Sequence, residues 1–579
     1  MTPSGGGDGS GGQCCVSDVI SRDRSRVAAG EVGAAVAAAA PAPPVRQGAP
    51  RARRGRLLTA ASLFLVTAPL LAYAGYLLLR RPALYDRSDQ VLLELGVLRA
   101  THFDQLLGAY SQFGFAHPGP TWFYLMSPFY KLLGADTAAA VAAAAVVEAG
   151  FGAAVVALTA RWRGGRAALA TAVVLLLYLR VIVIPAVTFL WNPFAVMPAT
   201  ILFVLLAVAA AGGAARARWG VLIIGSFLIQ TDVSTVPLVG FLALYLVVPA
   251  VRRRAVRIAR LRPPSGFTLF ALLIFIGEWI PPVLQQFTQS PGNLTQLADT
   301  LLGGGSTFHS PWAALSAEAQ AVSVFPFGAL SWGTPAVNHP TVGGLAVLLL
   351  WIAGAWALRR SGQRHADRLA ASLGTLSLWT AAVSFVAACV VRGGMNTYQF
   401  YWMTGLPLVA LLGWILHMSA RPQAVPRLPR LTALAVAGGT GALVLAFAVA
   451  QSLIGFTSRS AQHYKAVDTP LTTADQLVDG YLAGQGPGTG GRGVLLIDQD
   501  TRDKDATVVL ELVRNLYQRG WQPILPARLA AHDELRNPPA PVRCTIVIAA
   551  DPDQIPAGAT VLGPLRPGPH APVAVVLAG

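Results

Sequence analysis

The sequence predicts an α-helical polytopic membrane protein that ends in a small α/β domain. Three observations carry that prediction. Hydrophobic residues make up 54% of the 579 residues, charged residues only 12%, and mean hydropathy is +0.54. Soluble globular chains do not have that profile. Apolar runs of about 15 to 24 residues recur, long enough to cross a hydrocarbon core or nearly so. The basic residues cluster in the short segments between those runs, as the positive-inside rule requires.

The same clustering decides what the net charge of +17 means. It marks cytoplasmic loops, and nucleic acid is not an expected partner. The four cysteines are Cys14 and Cys15 in the tail, Cys389 in a span and Cys544 in the distal region. They form neither a disulfide framework nor a zinc-binding spacing. Residues 1–56 read as a cytoplasmic tail, disordered up to about Pro50, because its Gly, Ser and Ala cannot build a core. Ala72-Tyr73-Ala74 resembles a signal cleavage site, but the apolar run continues to Leu79, so the first span reads as an uncleaved anchor.

The spans follow in order. Leu57 to Leu79 is preceded by Arg51, Arg53, Arg54 and Arg56, which places the N-terminus inside. Thr137 to Ala160 ends inside at Arg161, Arg163 and Arg166. Ala167 to Val187 goes out, and Phe194 to Ala211 returns to Arg216 and Arg218. The segment Gly220 to Ala250 is basic at both ends and polar in the middle, at Gln230-Thr231-Asp232-Val233-Ser234-Thr235. An even number of crossings is required, so it reads as two short arms of about 12 to 15 residues each, meeting at a tip below the outer surface. Phe267 to Leu284 then exits to a long outer loop, 285–341, Gly- and Ser-rich around Gly303 to Ser306. That loop is expected to be a mobile lid or disordered. Gly343 to Leu358 returns, Leu369 to Val391 goes out, Thr404 to Ser419 returns and Leu431 to Leu453 goes out. The total is about eleven spans, with a membrane domain over 57–454 and an extracytoplasmic domain over 455–579. In the latter, Gly493 to Ile497, Cys544 to Ala549 and Ala574 to Leu577 read as strands and Val508 to Gln518 as a helix, hence α/β.

Chemistry-bearing residues crowd into the first outer loop, 80–136: Asp86, Asp89, Glu94, Arg99, His102, Asp104 and His117. A loop that only connects two helices can be short and bland. His117-Pro118-Gly119-Pro120 suits a fixed turn. Thr121 to Leu133 reads as an interface helix whose Trp122, Phe123, Tyr124, Phe129 and Tyr130 suit the headgroup belt, with Lys131 near a lipid phosphate or snorkelling. Glu148, Arg180 and Glu278 lie in or near spans, where charge is costly. Glu148 and Arg180 fall at similar depth, so either they form an ion pair or Arg180 binds phosphate. Arg392, before Gly393-Gly394 at an outer edge, is another phosphate candidate. Asp498-Gln499-Asp500 is a D-x-D without its confirming context and reads as a loop after a strand.

The layout resembles the GT-C class of membrane glycosyltransferases, of the protein O-mannosyltransferase and aminoarabinose-transferase types and their actinobacterial relatives. The residues that carry the likeness are Ser88-Asp89-Gln90 just after the first span, with Glu94 one turn on. Gly114 to Pro120 followed by Trp122-Phe123-Tyr124, Gln230-Thr231, and Pro291-Gly292-Asn293-Leu294 add to it. The resemblance covers about Leu57 to Leu453 in topology. The chain departs from it twice: the acid pair is Asp89-Gln90, and Phe189-Leu190-Trp191-Asn192-Pro193 lacks an acid.

The resemblance implies inverting transfer of a sugar from a polyprenyl-phosphate donor to an envelope glycan, lipid or protein acceptor, at the outer face of the plasma membrane. It implies no certain cofactor and leaves room for a divalent cation. Asp89 is the expected base for the acceptor proton, Asp86 its substitute, and Glu94 a carboxylate that orients Asp89 or faces water. Arg99, His102, His117, Lys131, Arg180, Asp232 and Arg392 are the candidates for binding substrate or phosphate, cations serving the leaving group. A structural role is equally open for each histidine. Two other classes compete: a transporter or lipid flippase, suggested by the broken span at Asp232, and a non-catalytic envelope-assembly protein.

Overall fold

A computed structural model describes residues 49–81, 88–111, 113, 115–182, 190–252, 265–303, 308–327, 339–421, 472–483, 494–499, 507–524, 542–549, 555, 557–565 and 573–578. Among these, seven helices are long and apolar enough to cross a membrane, and two shorter apolar helices accompany them. The chain is a helical polytopic membrane protein. Ten of the expected spans coincide with helices, and the eleventh, Leu431 to Leu453, lies outside the described residues.

In order, α1 is Ala49–Arg80, α2 Ser88–Ala100, α3 Thr121–Leu132, α4 Thr137–Arg163, α5 Gly165–Ile182 and α6 Asn192–Ala211. Then come α7 Ala215–Thr231 and α8 Val236–Arg252, separated by the 3-10 turn Val233–Thr235. Next are α9 Gly266–Thr288, α10 Asn293–Leu302, α11 Pro311–Phe327, α12 Val342–Arg364 and α13 Arg368–Val390. The 3-10 segment Thr397–Gly405 leads into α14 Leu406–Ser419. Local sequence sets the boundaries. Asp136 caps α4 by accepting from Ala139 N at 2.8 Å, and Gly164, at φ 80°, ends it. At the centre is α6, with 83% of its apolar window buried, and α9 is peripheral with 11%. Small residues allow close helix approach: a Cβ at Gly374 would lie 2.5 Å from Arg359 N.

Loops meet at two ends of the bundle, and the grouping follows the basic-loop pattern. At one end Arg163 of α4 donates to Asp367 at 2.7 Å, and Asp367 also accepts from His417 Nδ1 at 2.9 Å. His417 Nε2 lies 2.9 Å from Ser361 Oγ, so four helix ends are tied together. Arg216 also lies over the Phe267 ring, 5.3 Å from its centroid. The chain therefore starts α7 and α9 at one place, as a pair of crossing arms requires. Each arm has 17 residues, longer than expected. The break falls at Asp232, as expected; its side chain accepts from Ser234 N at 3.0 Å and caps the turn.

Two expectations are corrected. Loop 285–341 is not structureless, because α10 and α11 occupy much of it. Helix α11 carries Ala314, Ala317, Ala319 and Val322 into the core. Helix α3 is not a surface belt helix: Trp122, Phe123 and Tyr130 are buried, and Trp122 Nε1 donates to Leu190 O at 2.9 Å. Only its other face, with Leu125 and Lys131, is exposed. Glu148 is buried, and neither of its carboxylate oxygens has a hydrogen-bond partner among the described residues. Its pairing with Arg180 rests on a side chain outside the described residues.

The C-terminal region forms a five-stranded sheet in the order β2-β1-β3-β5-β4. The strands are β1 Val494–Gln499, β2 Gln522–Ile524, β3 Val542–Ala549, β4 Thr560–Pro564 and β5 Val573–Ala578. β1 runs parallel to β2 and β3, and β5 runs antiparallel to β3 and β4. A parallel neighbour needs a crossover, and α16, Thr507–Gln518, lies between β1 and β2 in sequence. A further helix, α15, spans 472–483. β2 and β4 were not expected from the sequence; one is three residues long and the other is interrupted by Gly563 at φ 150°.

Candidate active site

The end of the bundle opposite the Arg163–Asp367 cluster is built around residues 108–119. Tyr110 and Ala116 form an isolated antiparallel bridge, Gly108 N donates to His117 O at 3.1 Å, and His117 N to Ala109 O at 2.7 Å. Gly108 is needed there: a Cβ would lie 2.7 Å from Gly119 O. Three other segments close on this turn. Asn293 holds Ala116 by both backbone groups, Nδ2 donating to its O at 3.0 Å and Oδ1 accepting from its N at 2.9 Å. Gln230 accepts from Thr121 Oγ1 at 2.6 Å, and its O accepts from Gly119 N at 3.4 Å. Asn192 lies 2.9 Å from His117 Nε2 and donates to Thr231 O at 3.0 Å. Thus 115–120, 230–231 and 291–294, far apart in sequence, converge.

His117 is buried at the hub. Val233 N donates to its Nδ1 at 3.0 Å, so Nδ1 accepts and a neutral ring keeps its proton on Nε2. Burial pushes its pKa down, and the charge of Asp232 opposes this. His117 Nδ1 and the Asp232 carboxylate are therefore engaged in holding the turn.

Asp89 stands in the first turn of α2, half-buried. Its Oδ1 accepts from the Tyr110 hydroxyl at 2.5 Å. Burial, then the Asp89 charge and hydrogen bond, push the Tyr110 pKa up, and Tyr398 adds to the effect. The hydroxyl therefore stays a donor to the carboxylate. Among the described residues no cation pairs with Asp89. The other described acids of the loop are committed. Glu94 accepts from Thr137 Oγ1 at 2.7 Å, Arg514 Nη1 at 3.0 Å and Tyr130 at 3.2 Å. Asp104 accepts from Tyr517 at 2.6 Å, and Asp136 pairs with Arg81. Asp86 lies outside the described residues.

The remaining candidates divide. Arg99 donates to Asp104 O at 3.1 Å, closing the turn after α2. His102 approaches Leu98 O at 3.2 Å and stands edge-on to Tyr517, 5.9 Å between centroids. His102 belongs to the contact with the C-terminal domain, and Arg99 braces Asp104, which accepts from Tyr517 of that domain. Lys131 is exposed. Arg392 stacks over Phe308 at 4.3 Å. Its neighbour Gly393 adopts φ 74°, accepts from His309 Nε2 at 2.8 Å and faces Phe113, 3.3 Å from where a Cβ would sit. Arg392 is therefore on the same side of the bundle as the 108–119 turn. The Arg180 side chain is outside the described residues. No group of three His, Cys, Asp or Glu that could hold a metal occurs among the described residues.

No family model and no curated relative matches the chain. Solved structures do show likeness. The aminoarabinose transferase ArnT from Cupriavidus metallidurans, bound to undecaprenyl phosphate, is 14% identical, with 90% of this chain and 97% of that chain covered and a TM-score of 0.45. Its apo state gives 15%, the same coverage and 0.42. The oligosaccharyltransferase of Archaeoglobus fulgidus, in the apo form, is 13% identical, with 84% and 69% covered and a TM-score of 0.35. Both are GT-C glycosyltransferases, the class the sequence resembles. These are likenesses of fold.

The sequence alone gives Asn192, Gln230 and Asn293 none of these contacts, and it does not point to Tyr398 or Arg514. The available signal was amide side chains inside otherwise apolar or Gly/Pro-rich segments, which need buried partners.

Proposed function

We propose that the chain is a membrane glycosyltransferase that takes a sugar from a polyprenyl-phosphate donor and passes it to a hydroxyl of an envelope glycan, lipid or protein acceptor. Asp89 is the base. The observation that carries this reading is that Asp89 alone among the described acids of the first loop is uncommitted to a cation or to the C-terminal domain. A half-buried carboxylate fixed by one tyrosine hydroxyl can accept the proton of an attacking hydroxyl. Phosphate is a good leaving group, so a second protonated acid is not needed, unlike glycoside hydrolysis. Arg392, on the same side, meets the phosphate charge.

In this reading Glu94 is structural, and Asp232 and His117 hold the turn instead of binding substrate. The broken span at Asp232 is then a capped turn and not a transport site. Transfer is inverting because one displacement at the anomeric carbon suffices. The test is an assay in nanodiscs with a radiolabelled polyprenyl-phosphate sugar, comparing wild type with Asp89→Asn. The variant keeps the side chain's size and is expected to lose about 10² to 10⁴ in turnover, with folding and donor binding retained. Equal turnover by a well-folded Asp89→Asn would remove Asp89 from the mechanism.

A further inference from the structure

One arginine of the C-terminal domain reaches deep into the first loop. Arg514, on α16, is 6% exposed, and the carboxylates it meets, Glu94 and Glu511, are both 0% exposed. Its Nη1 donates to Glu94 at 3.0 Å and to Thr137 at 3.1 Å, and its Nη2 donates to Glu511 at 2.8 Å. The guanidinium also donates to Asn515 Oδ1, whose own amide donates to Asp475 at 2.7 Å. Around this core, Tyr517 donates to Asp104, Gln518 donates to Ala135 O at 3.1 Å, and Tyr517 packs on His102. Helix α2 is thus held by the domain at Glu94 and just past its C-terminal end, at His102 and Asp104, while its first turn carries Asp89.

A buried charge pair is weak evidence for stability, because desolvation offsets the attraction. It is better suited to fixing geometry. Breaking it leaves an uncompensated buried charge, so the arrangement has one low-energy register. Resting on the glycosyltransferase reading, we propose that Arg514 is a positioning residue: it couples the C-terminal domain to α2 and so holds Asp89 in register with the acceptor. One guanidinium faces two fully buried carboxylates, so the cluster is neutral only when one of them carries a proton. Glu511 is that one. Its Oε1 has no partner among the described residues, and burial pushes its pKa up to about 8 although Arg514 acts against the shift. Glu94 and Asp475 raise it further. The other charges facing the cluster are Arg519 and Asp479, paired with each other at 2.5 Å, and Arg519 also reaches Asp475 at 3.5 Å. The coupling therefore loosens in alkali.

The experiment uses the full chain in nanodiscs and two readouts. Amide hydrogen exchange of 88–100 reports the grip on α2, and sugar transfer from a polyprenyl-phosphate donor reports Asp89. Arg514→Gln is expected to raise exchange in α2 at least tenfold and to lower kcat at least tenfold, with donor KM within twofold. Arg514→Lys should recover part of both. Glu511→Gln keeps the shape and the neutral state; it should match wild type at neutral pH and remove the alkaline loss of protection and of kcat. Unchanged α2 exchange in Arg514→Gln overturns the coupling whatever transfer does. Loosened α2 with unchanged kcat overturns the positioning role. Wild type without transfer would defeat the glycosyltransferase reading by itself, and with it the positioning of Asp89, while the exchange arm still decides the coupling. Should Arg514→Gln fail to fold, Glu511→Gln decides: an alkaline limb identical to wild type overturns the proposal.

Discussion

Asn293 is paired with the backbone of Ala116 as one strand pairs with another, its amide nitrogen donating at 3.0 Å and its amide oxygen accepting at 2.9 Å. The two residues are 177 positions apart. Both are buried, so water cannot replace the bonds. Asn293→Ala would leave two buried backbone groups unpaired, at about 1–3 kcal/mol each. The expected outcome is a lower thermal midpoint in detergent. Asn293→Asp, which retains only the acceptor, should fall between the two. A midpoint unchanged in Asn293→Ala would mean that the turn stands without this clamp.

Topology gives a second prediction. The loops at the Arg163–Asp367 end carry the basic clusters, so that end is expected inside and the 108–119 turn outside. The C-terminal domain contacts the first loop through Arg514 and must share its side. Gly480 is an exposed position on α15. In a background without the four native cysteines, Gly480→Cys should react with an impermeant maleimide on intact cells. Labelling only after permeabilisation would invert the whole arrangement.

The spans were legible because a bilayer demands long apolar runs and the charge pattern fixes their sense. The break at Asp232 was legible for the same reason, since an even number of crossings had to fit one segment. Helix α11 was not, because in PWAALSAEAQAVSVFPF alanines are interspersed with Glu318 and Gln320 and no one-sided apolar face emerges. It is buried by its neighbours and not by lipid. Asp89 could be singled out by position. The fate of Glu94 could not: its partner, Arg514, is 420 residues away, and no local pattern announces such a contact. Trp122 and Tyr130 misled for a related reason, because an aromatic face suits a headgroup belt and a protein core equally well.

At the opposite end, Asp367 gives a pH dependence. Burial would raise its pKa, but the hydrogen bonds from His417 and Ala370 N and the charge of Arg163 outweigh it, and the net shift is downward from 3.8. The folded state therefore holds the carboxylate ionised at pH values where the unfolded chain has begun to protonate. Its contribution is present above 3.8 and is lost as pH falls through the depressed folded value. Asp367→Asn is expected to lower stability at neutral pH by about 1–3 kcal/mol, the scale of hydrogen bonds to a charged group. It should also flatten the acid limb of a thermal-midpoint profile. An acid limb as steep in Asp367→Asn as in wild type would assign the acid sensitivity elsewhere.

The last prediction separates the two halves of the proposed chemistry. Asp89 acts on the acceptor proton, which moves only during the reaction, whereas Arg392 acts on a phosphate charge that is present from the start. Loss of the first should appear in turnover and loss of the second in binding. The Arg392 guanidinium lies over the Phe308 ring, 4.3 Å from its centroid. Arg392→Gln removes a charge-assisted hydrogen bond worth about 1.5–3 kcal/mol, so donor KM should rise about tenfold to a hundredfold while kcat changes little. Arg392→Lys keeps the charge but not the planar stack and should be intermediate. Added salt should weaken donor binding by wild type more than by Arg392→Gln, because only wild type carries the screened charge. If Arg392→Gln instead lowers kcat with donor KM unchanged, the guanidinium stabilises the departing phosphate in the transition state alone. If neither constant moves, the phosphate is bound elsewhere, and Lys131 and Arg180 become the cations to test.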